Sequence, residues 1–201
     1  MGMVIGLGGR SCPGQGGTRA RRGRRAVAVN EDLPPLAWLA MHRDLLPAGG
    51  QALDVACGSG RHTVWLARHG LHVLAVDRQA DAIAALAAHP LAHAGLIDAQ
   101  VRDLETGQRV IAPDAYDVVV GTHYLHRPLF PQLVAALRPG GVLIYETFLS
   151  AQAARGKPTN PDFLLRPGEL ATLVRPLAIL AEREGDFDGR MVASIVARRH
   201  D

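Results

Sequence analysis

The stretch "LDVACGSGRH" (residues 53–62) carries one acidic residue, Asp54, inside an apolar run that breaks into a glycine turn. The apolar residues around Asp54 are typical of the end of a buried strand, and Gly58 and Gly60 mark the turn that follows. A buried carboxylate without a polar partner costs free energy. We therefore expect the end of this strand to face a polar ligand.

Outward from this turn, apolar strands alternate with helices, and a helix over residues 35–46 precedes the first strand. Strands are predicted at "QALDVAC" (51–57), "LHVLAVD" (71–77), "LIDAQV" (96–101), "YDVVVGT" (116–122) and "VLIYETF" (142–148). Helices are predicted at "RHTVWLARHG" (61–70), at "RQADAIAALAAHP" (78–90), stopped by Pro90, and at "RPLFPQLVAALRPGG" (127–141), closed by its glycine pair. Strands that are apolar on both faces and separated by helices indicate a parallel sheet covered on both sides.

The alternation ends after Phe148, where "LSAQAARGKPTNPDFLLRPGEL" (149–170) is polar and too long for an ordinary connection between a strand and a helix. Lys157, Asn160 and Arg166 could close over a polar or anionic substrate, or the segment could make no substrate contact. A short helix at "PGELATLV" follows. The last two apolar segments, "LAILAERE" and "RMVASIVARR", are joined by about five turn residues, which predicts an antiparallel hairpin.

Charge divides the chain into two parts. Residues 1–30 carry six arginines and no acidic residue, leaving 16 basic against 19 acidic side chains in residues 31–201, a net charge of −3. We expect residues 31–201 to form one folded domain and residues 1–30 to form a disordered basic tail. The tail could instead be an arm that contacts RNA, or sequence included by a misplaced start codon.

Composition indicates a cytoplasmic protein without a membrane span. No apolar run approaches the roughly 20 residues that a spanning helix needs, and the first ten residues lack the basic start of an export signal. Cys12 and Cys57 support neither a disulfide framework nor a zinc site. His89 and His93 straddle Pro90 without a helix glutamate, so no metal is expected. His62 and His69 are interpreted as surface or capping residues.

The predicted turn is suited to an adenosine-containing cofactor. In an open α/β sheet, ligands bind beyond the carboxyl ends of the strands. Asp77 ends the second strand, 17 positions past Gly60, where a carboxylate can accept hydrogen bonds from ribose hydroxyls. Thr63 occupies the position of the third glycine of the dinucleotide fingerprint, and Asp54 would repel a diphosphate. Thr63 therefore disfavours a dinucleotide, and Asp54 favours a cofactor that carries positive charge.

Five motifs carry a resemblance to a known family: "LDVACGSG", "HVLAVD", "RDLE", "YDVVVGTHYLHR" and "LRPGGVLIYETF". In this order and spacing they resemble the motifs of class I S-adenosylmethionine-dependent methyltransferases, over about residues 33–199. The resemblance implies a Rossmann-like three-layer fold with a seven-stranded, mostly parallel sheet and an antiparallel last strand. It also implies S-adenosylmethionine as the cofactor.

The resemblance further assigns roles to residues. It implies that Asp54, Gly58 and Gly60 hold the methionine part, that Asp77 binds the ribose and that Asp103 lies near the adenine amine. Further cofactor positions that follow from the same motifs are Cys57, Arg78, Leu104 and Gly121. His123, Tyr124 and Arg166 are candidate contacts of the methyl acceptor, and no residue is assigned as catalytic.

The acceptor is expected to be a small molecule. "THYLHRPLF" and "GKPTNPDFLLRPGEL" resemble small bacterial methyltransferases of the tellurite-resistance type, which implies a thiol or chalcogen acceptor. Methylation of RNA or protein with the arginine-rich tail as a tether stays an alternative, although the acidic folded part disfavours nucleic acid. A module that binds the cofactor without turnover is a third alternative.

Overall fold

The computed structural model describes residues 28–201, so most of the predicted basic tail lies outside the described residues. The last residues of the predicted tail contact the folded domain. Val29 packs against the core, and the side-chain amide of Asn30 donates a hydrogen bond to Ser59 Oγ at 2.8 Å. Val29 and Asn30 therefore contact the folded domain.

Seven strands and six α-helices follow one another along the described residues. The strands are β1 (Gln51–Val55), β2 (His72–Asp77), β3 (Ile97–Val101), β4 (Tyr116–Thr122), β5 (Leu137–Phe148), β6 (Ala178–Phe187) and β7 (Arg190–Arg198). The helices are α1 (Ala37–Met41), α2 (Arg61–Arg68), α3 (Ala80–Ala87), α4 (Pro90–His93), α5 (Phe130–Ala136) and α6 (Glu169–Leu173).

All seven strands form one sheet in the order β3-β2-β1-β4-β5-β7-β6. Strands β1 to β5 are parallel, and β7 runs antiparallel to both β5 and β6. The predicted mostly parallel sheet with an antiparallel last strand is confirmed. The winding direction reverses between β1 and β4, which is the position where open α/β sheets bind ligands.

A hydrophobic core covers each face of the sheet. On one face Phe130 and Leu133 of α5 are buried together with Leu143 of β5. On the other face Trp38 of α1 and Leu66 of α2 are buried with the opposite residues of the same strands. Because both faces of the sheet are covered, successive side chains along a strand are apolar whichever face they point to, as the sequence indicates. The result is the predicted three-layer arrangement.

Two predicted helix boundaries differ from the structure. The helix expected over residues 35–46 is the five-residue α1 followed by a separate 3₁₀ turn, Arg43–Leu45. The glycine pair 140–141 does not close a helix, because β5 already begins at Leu137. A Cβ on Gly141 would lie 2.9 Å from the Arg138 carbonyl oxygen, so this close backbone approach requires glycine.

The hairpin between β6 and β7 is tighter than predicted. Its turn contains two residues, Asp188 and Gly189, rather than about five. Both have positive φ, 53° and 74°, as a two-residue hairpin turn with the twist of its strands requires. The remaining residues of "GDFDG" belong to the strand β6.

The helices of residues 28–201 are short. None of them is long and apolar enough to cross a membrane.

Candidate functional site

A cavity of about 790 Å³ opens at the carboxyl ends of the parallel strands. Its wall includes Ala56 and Gly58 after β1, Asp77 at the end of β2, Asp103 after β3 and His123 after β4. Parallel strands end at the same edge of the sheet, so segments distant in sequence meet here. The cavity spans the point where the winding direction reverses.

Asp77 fixes the glycine turn against β2. Its side chain is buried, and its two carboxylate oxygens accept hydrogen bonds from the backbone N–H groups of Gly58 and Gln79, both at 2.8 Å. Each carboxylate oxygen has a second lone-pair site. Asp77 therefore holds the turn and can still accept hydrogen bonds from a ligand's hydroxyl groups.

The turn after β1 takes backbone conformations that favour glycine. Gly58 and Gly60 have φ of 55° and 80°, and Ala56 adopts φ of 52° although it carries a Cβ. Left-handed conformation costs a residue such as Ala56 about 1 kcal/mol. A Cβ on Gly60 would lie 2.6 Å from a methyl carbon of Leu86, so this glycine lets α3 pack against the turn.

Asp54 lies beneath the turn and does not line the cavity. Its Oδ2 accepts a hydrogen bond from Thr63 Oγ1 at 2.6 Å, whereas its Oδ1 has no partner among residues 28–201. Burial raises the pKa of Asp54 to about 7. A buried oxygen without a partner is uncommon in folded proteins and indicates a place for an additional polar group.

Beyond β3 the chain lines the cavity with an acidic loop. Asp103 Oδ1 accepts a hydrogen bond from the backbone N–H of Glu105 at 2.9 Å, which fixes the loop. The buried Leu104 and the exposed Arg78, which follows β2, also line the cavity. This part of the wall combines carboxylates with an apolar surface.

His123 and Tyr124 line the opposite part, after β4. His123 has φ of 55°, its ring stacks on Phe148 with centroids 4.8 Å apart, and burial with two nearby arginines lowers its pKa to about 4. Tyr124 Oη donates a hydrogen bond to Glu105 Oε1 at 3.3 Å, and burial together with Glu105 raises the pKa of Tyr124. At neutral pH the imidazole and the phenol are therefore both uncharged.

The connecting segment, residues 149–168, closes part of the cavity. Lys157, Asn160 and Phe163 are among the lining residues, whereas Arg166 is not. The side chain of Arg166 is 82% exposed and lies 3.6 Å from Glu169 Oε1. Of the three polar residues singled out in this segment, two thus reach the cavity.

Arg127, which follows β4, holds the connecting segment in place. It binds Glu169 through two hydrogen bonds of 2.7 and 3.0 Å and donates to the carbonyl oxygens of Asp162 and Leu164. This contact lowers the pKa of Glu169 to about 2. A bidentate pair of this kind fixes geometry as well as charge.

Apart from Arg166, the predicted site residues fall into two groups. Those on the cavity wall are Gly58, Asp77, Arg78, Asp103, Leu104, His123 and Tyr124. Those behind the wall are Asp54, Cys57, Gly60 and Gly121, which are absent from the lining residues. A Cβ on Gly121 would overlap the Tyr145 ring, so packing alone already requires this glycine.

The wall residues that the sequence did not predict include Thr122, Phe148 and Arg102. Thr122 and Phe148 end strands β4 and β5, so the rule that ligands bind beyond strand ends could have found both. Arg102 follows β3 and donates to the Val110 carbonyl oxygen at 2.8 Å. Its role in holding the loop after β3 has no sequence signature.

The interpretation of His62 as a surface or capping residue was wrong. The side chain is buried: its Nε2 accepts a hydrogen bond from the backbone N–H of Leu36, and its Nδ1 lies 3.2 Å from Thr122 Oγ1. Burial lowers the pKa of His62 to about 3, so the ring is neutral. Within the described part of the chain, no three His, Cys, Asp or Glu side chains are grouped to hold a metal ion.

Comparison with known proteins gives the family. Residues 52–141 match the methyltransferase domain family. Over 167 residues the chain is 30% identical to the ubiquinone biosynthesis O-methyltransferase of Burkholderia multivorans. The alignment covers 72% of this chain and 70% of that protein. The chain belongs to the S-adenosylmethionine-dependent methyltransferases. Its cofactor is accordingly S-adenosylmethionine.

Solved structures support the same fold for this methyltransferase. An S-adenosylmethionine-dependent methyltransferase from Mesorhizobium loti matches with a TM-score of 0.66 at 22% identity, over 82% of this chain and 99% of that one. TehB from Haemophilus influenzae matches with a TM-score of 0.67 at 20% identity, over 81% of this chain and 61% of that one. At such identities the likeness concerns the fold.

Proposed function

We propose that this cytoplasmic methyltransferase transfers the methyl group of S-adenosylmethionine to a small-molecule acceptor with a soft nucleophile, a thiol or a chalcogen species. Residues 31–201 form the catalytic domain in this proposal. The observation that carries it is a cavity with a carboxylate-rich part after β2 and β3 and a second part, after β4 and β5, that contains His123. The pKa of His123, about 4, is too low for an effective base at neutral pH.

The residues on the carboxylate-rich side fit the cofactor. Asp77 has lone pairs left for the ribose hydroxyls, and Asp103 and Leu104 offer an acceptor and an apolar surface for the adenine. Gly58 lets the backbone come close to the methionine part. Asp54 lies under the same turn, its Oδ1 has no partner among residues 28–201, and a cationic ligand bound above it would favour the ionised form of this carboxyl group.

When bound, S-adenosylmethionine would supply an electrophilic methyl group: the acceptor's lone pair would bond to the methyl carbon from the side opposite sulfur, and the electron pair of the broken carbon–sulfur bond would stay on sulfur. The protein's own contribution is then positioning and exclusion of water. Tyr124 and the connecting segment enclose the cavity, and Asn160 and Thr122 offer hydrogen bonds to an acceptor. A thiol acceptor releases its proton to solvent.

The chemistry of His123 favours an acceptor that needs little help from a base. With a pKa of about 4, its imidazole is a weak base at neutral pH, and a general base works best when its pKa lies near the working pH. A thiol such as that of cysteine has a pKa of about 8.5, against about 10 for the phenol of tyrosine, so a thiol ionises more readily without a base. His123 instead serves to orient the acceptor by hydrogen bonding.

Two observations disfavour a macromolecular acceptor. The cavity of about 790 Å³ is closed on one side by the connecting segment and has the size of a small-molecule site. The charge of residues 31–201 is −3, which repels nucleic acid. An oxygen acceptor is the second candidate, because the relative from Burkholderia multivorans is named an O-methyltransferase.

The first test is calorimetric titration of the full-length protein with S-adenosylmethionine. We expect micromolar binding, with a loss of at least about tenfold in Asp77→Ala, because hydrogen bonds to a charged group contribute about 1.5–3 kcal/mol. Asp32→Asn, an exposed acid elsewhere on the surface, is the matched control and should bind like the wild type.

Turnover with labelled cofactor then separates the acceptors. Methyl transfer to 2-mercaptoethanol or selenite, at rates above those with catechol and with total RNA, supports the proposal. Faster methylation of catechol would replace it with an oxygen acceptor. Folded protein that binds no S-adenosylmethionine would overturn it altogether, and circular dichroism of Asp77→Ala checks that the variant is folded.

A further inference from the structure

Two arginines lie next to the part of the cavity after β4 and β5, where the methyl acceptor is proposed to bind. Neither arginine pairs with an acidic side chain among residues 28–201. Arg190, at the start of β7, places Nη1 3.5 Å from His123 Nε2. Arg61, at the start of α2, places Nη2 3.2 Å from His62 Nε2. None of the ion pairs within the described residues includes either arginine.

The two guanidinium groups act on each other and on the same histidines. Burial and the charge of Arg190 lower the pKa of Arg61. Both arginines also lower the pKa of His123. Like charges held this close without a carboxylate between them raise the free energy of the folded protein. An anion placed among them would remove this repulsion.

The acid nearest to the cluster does not neutralise it. Asp54 acts on Arg61 electrostatically, but its carboxylate is bound to Thr63 beneath the glycine turn and its pKa is raised to about 7. The acids on the cavity wall, Asp77, Asp103 and Glu105, follow β2 and β3, on the other side of β1 from β4. The part of the site after β4 thus remains cationic.

The cluster adjoins the cavity through side chains that line it. His123 is on the wall, and Thr122, also on the wall, lies 3.2 Å from the His62 ring that Arg61 contacts. Lys157 of the connecting segment adds a third cation to the lining residues. A ligand beside His123 therefore meets positive charge from three different parts of the chain.

We infer that Arg61 and Arg190, grouped around His123, bind an anionic group of the methyl acceptor, so that the acceptor carries a carboxylate or oxyanion as well as its nucleophilic atom. This inference rests on the proposed function and names the acceptor's chemical class. The paired guanidinium groups bind the anion through charge-assisted hydrogen bonds, and the neutral His123 orients it. Arg61 and Arg190 are then specificity-determining residues.

The cofactor's own carboxylate is the other source of such an anion, so the experiment separates the two. Full-length protein saturated with S-adenosylhomocysteine, which keeps that carboxylate, is titrated with mercaptoacetate and with 2-mercaptoethanol. The two thiols differ by one carboxylate. The same titrations are made with Arg190→Gln, Arg61→Gln and, as a matched control, Arg43→Gln, whose side chain is 69% exposed.

We expect mercaptoacetate to bind the wild type at least about tenfold more tightly than 2-mercaptoethanol, the factor that one charge-assisted hydrogen bond supplies. Arg190→Gln and Arg61→Gln should abolish the difference between the thiols and leave binding of S-adenosylhomocysteine within about threefold of the wild type. Arg43→Gln should change neither. Equal or absent binding of the two thiols would overturn the inference.

A second result would also overturn it. If the arginine variants weaken the binding of S-adenosylhomocysteine as strongly as the binding of mercaptoacetate, the two arginines hold the cofactor's carboxylate and not the acceptor. Failure of folded wild type to bind S-adenosylhomocysteine would instead remove the proposed function itself. The two failures are therefore distinguishable.

Discussion

At the scale of single residues, Asp54 couples the site to the stability of the protein. Its carboxyl group is buried, which raises its pKa to about 7, far above the 3.8 of an exposed aspartate, and its Oδ1 has no partner among residues 28–201. The folded protein therefore binds a proton that the unfolded chain has released. Between pH 4 and 7 the stability from this group falls as the pH rises.

Replacing the Asp54 carboxyl group should remove this loss of stability at higher pH. We expect Asp54→Asn to gain about 2.7 kcal/mol of stability relative to the wild type as the pH is raised from 5 to 8, because the wild type loses about 1.36 kcal/mol for each pH unit between pH 5 and its folded-state pKa of about 7. Urea unfolding of the cofactor-free proteins at both pH values measures it. His62 and His123 have lowered pKa values and the opposite pH dependence, but both residues are present in the two proteins and cancel.

A pH-independent difference between Asp54→Asn and the wild type would contradict this account. Asp32→Asn serves as the control, because Asp32 is exposed and its substitution should leave the pH dependence unchanged. The same experiment shows whether a carboxylate kept for a cationic ligand destabilises the protein in the absence of that ligand.

Among single residues, those within one continuous motif could be predicted from the sequence. The positions of Asp54 beneath the turn and of Asp77 at the end of β2 follow from an acid in an apolar run and from the end of a strand. The burial of His62 could not be predicted, because its partners Leu36 and Thr122 come from distant parts of the chain. A polar residue in the first turn of a helix is usually exposed.

At the scale of secondary-structure elements, the connecting segment is held at both ends. Leu149 and Leu165 form an isolated parallel bridge, with the N–H of Leu165 donating to the Phe148 carbonyl oxygen at 2.8 Å. Arg127 adds the contacts to Glu169 and to two carbonyl oxygens. The long polar connection is therefore an ordered part of the cavity wall.

Removing the arginine should loosen this segment more than it destabilises the protein. We expect Arg127→Gln to raise amide hydrogen exchange in residues 157–168 by about tenfold or more, because a charge-assisted bidentate contact is lost. Exchange in the strands β1 and β4 should stay close to that of the wild type. Hydrogen exchange followed by mass spectrometry measures both regions.

Arg155→Gln provides a comparison within the same segment. Arg155 pairs with Asp186 at the surface, and such pairs contribute little to stability. Its substitution should leave exchange in residues 157–168 nearly unchanged. Equal exchange in Arg127→Gln and Arg155→Gln would show that the arginine after β4 does not hold the segment.

The presence of a helix or strand could be predicted where the apolar pattern was long. The residues at which each element begins and ends could not. The five parallel strands follow from their β-branched runs, and the final hairpin follows from a short polar turn. The start of β5 at Leu137 is set by pairing with Tyr116, a contact between strands that helix propensity does not include. The hairpin turn shortened to two residues because pairing between β6 and β7 extends to Phe187 and Arg190.

At the scale of the whole molecule, strand order gathers what the sequence keeps apart. Arg61, His123 and Arg190 meet at one edge because α2, β4 and β7 all begin or end there. In the sequence, Arg61 and Arg190 each have the appearance of an ordinary surface cation. Only the position of β7 beside β5 brings Arg190 to the site.

A buried polar cluster joins the two outer strands to the rest of the sheet. Glu146 on β5 accepts hydrogen bonds from Ser194 on β7 at 2.5 Å and from Arg183 on β6 at 3.3 Å. The Arg183 guanidinium lies over the Trp38 ring of α1, 4.6 Å from its centroid, and over Phe187. Three strands and one helix thus meet at a single ion pair.

Breaking this pair from one side should destabilise the whole domain. Arg183→Gln leaves the Glu146 carboxylate, only 4% exposed, without its cation, and we expect a loss of about 3 kcal/mol in the free energy of unfolding. Adding Glu146→Gln to the same chain should restore most of the loss, because the buried uncompensated charge is gone. Urea unfolding of the single and double variants measures the difference.

A loss below about 1 kcal/mol, like that expected for the surface variant Arg155→Gln, would show that the sheet does not depend on this pair. If the double variant is no more stable than Arg183→Gln, the loss comes from the contact with the Trp38 ring and not from the buried charge.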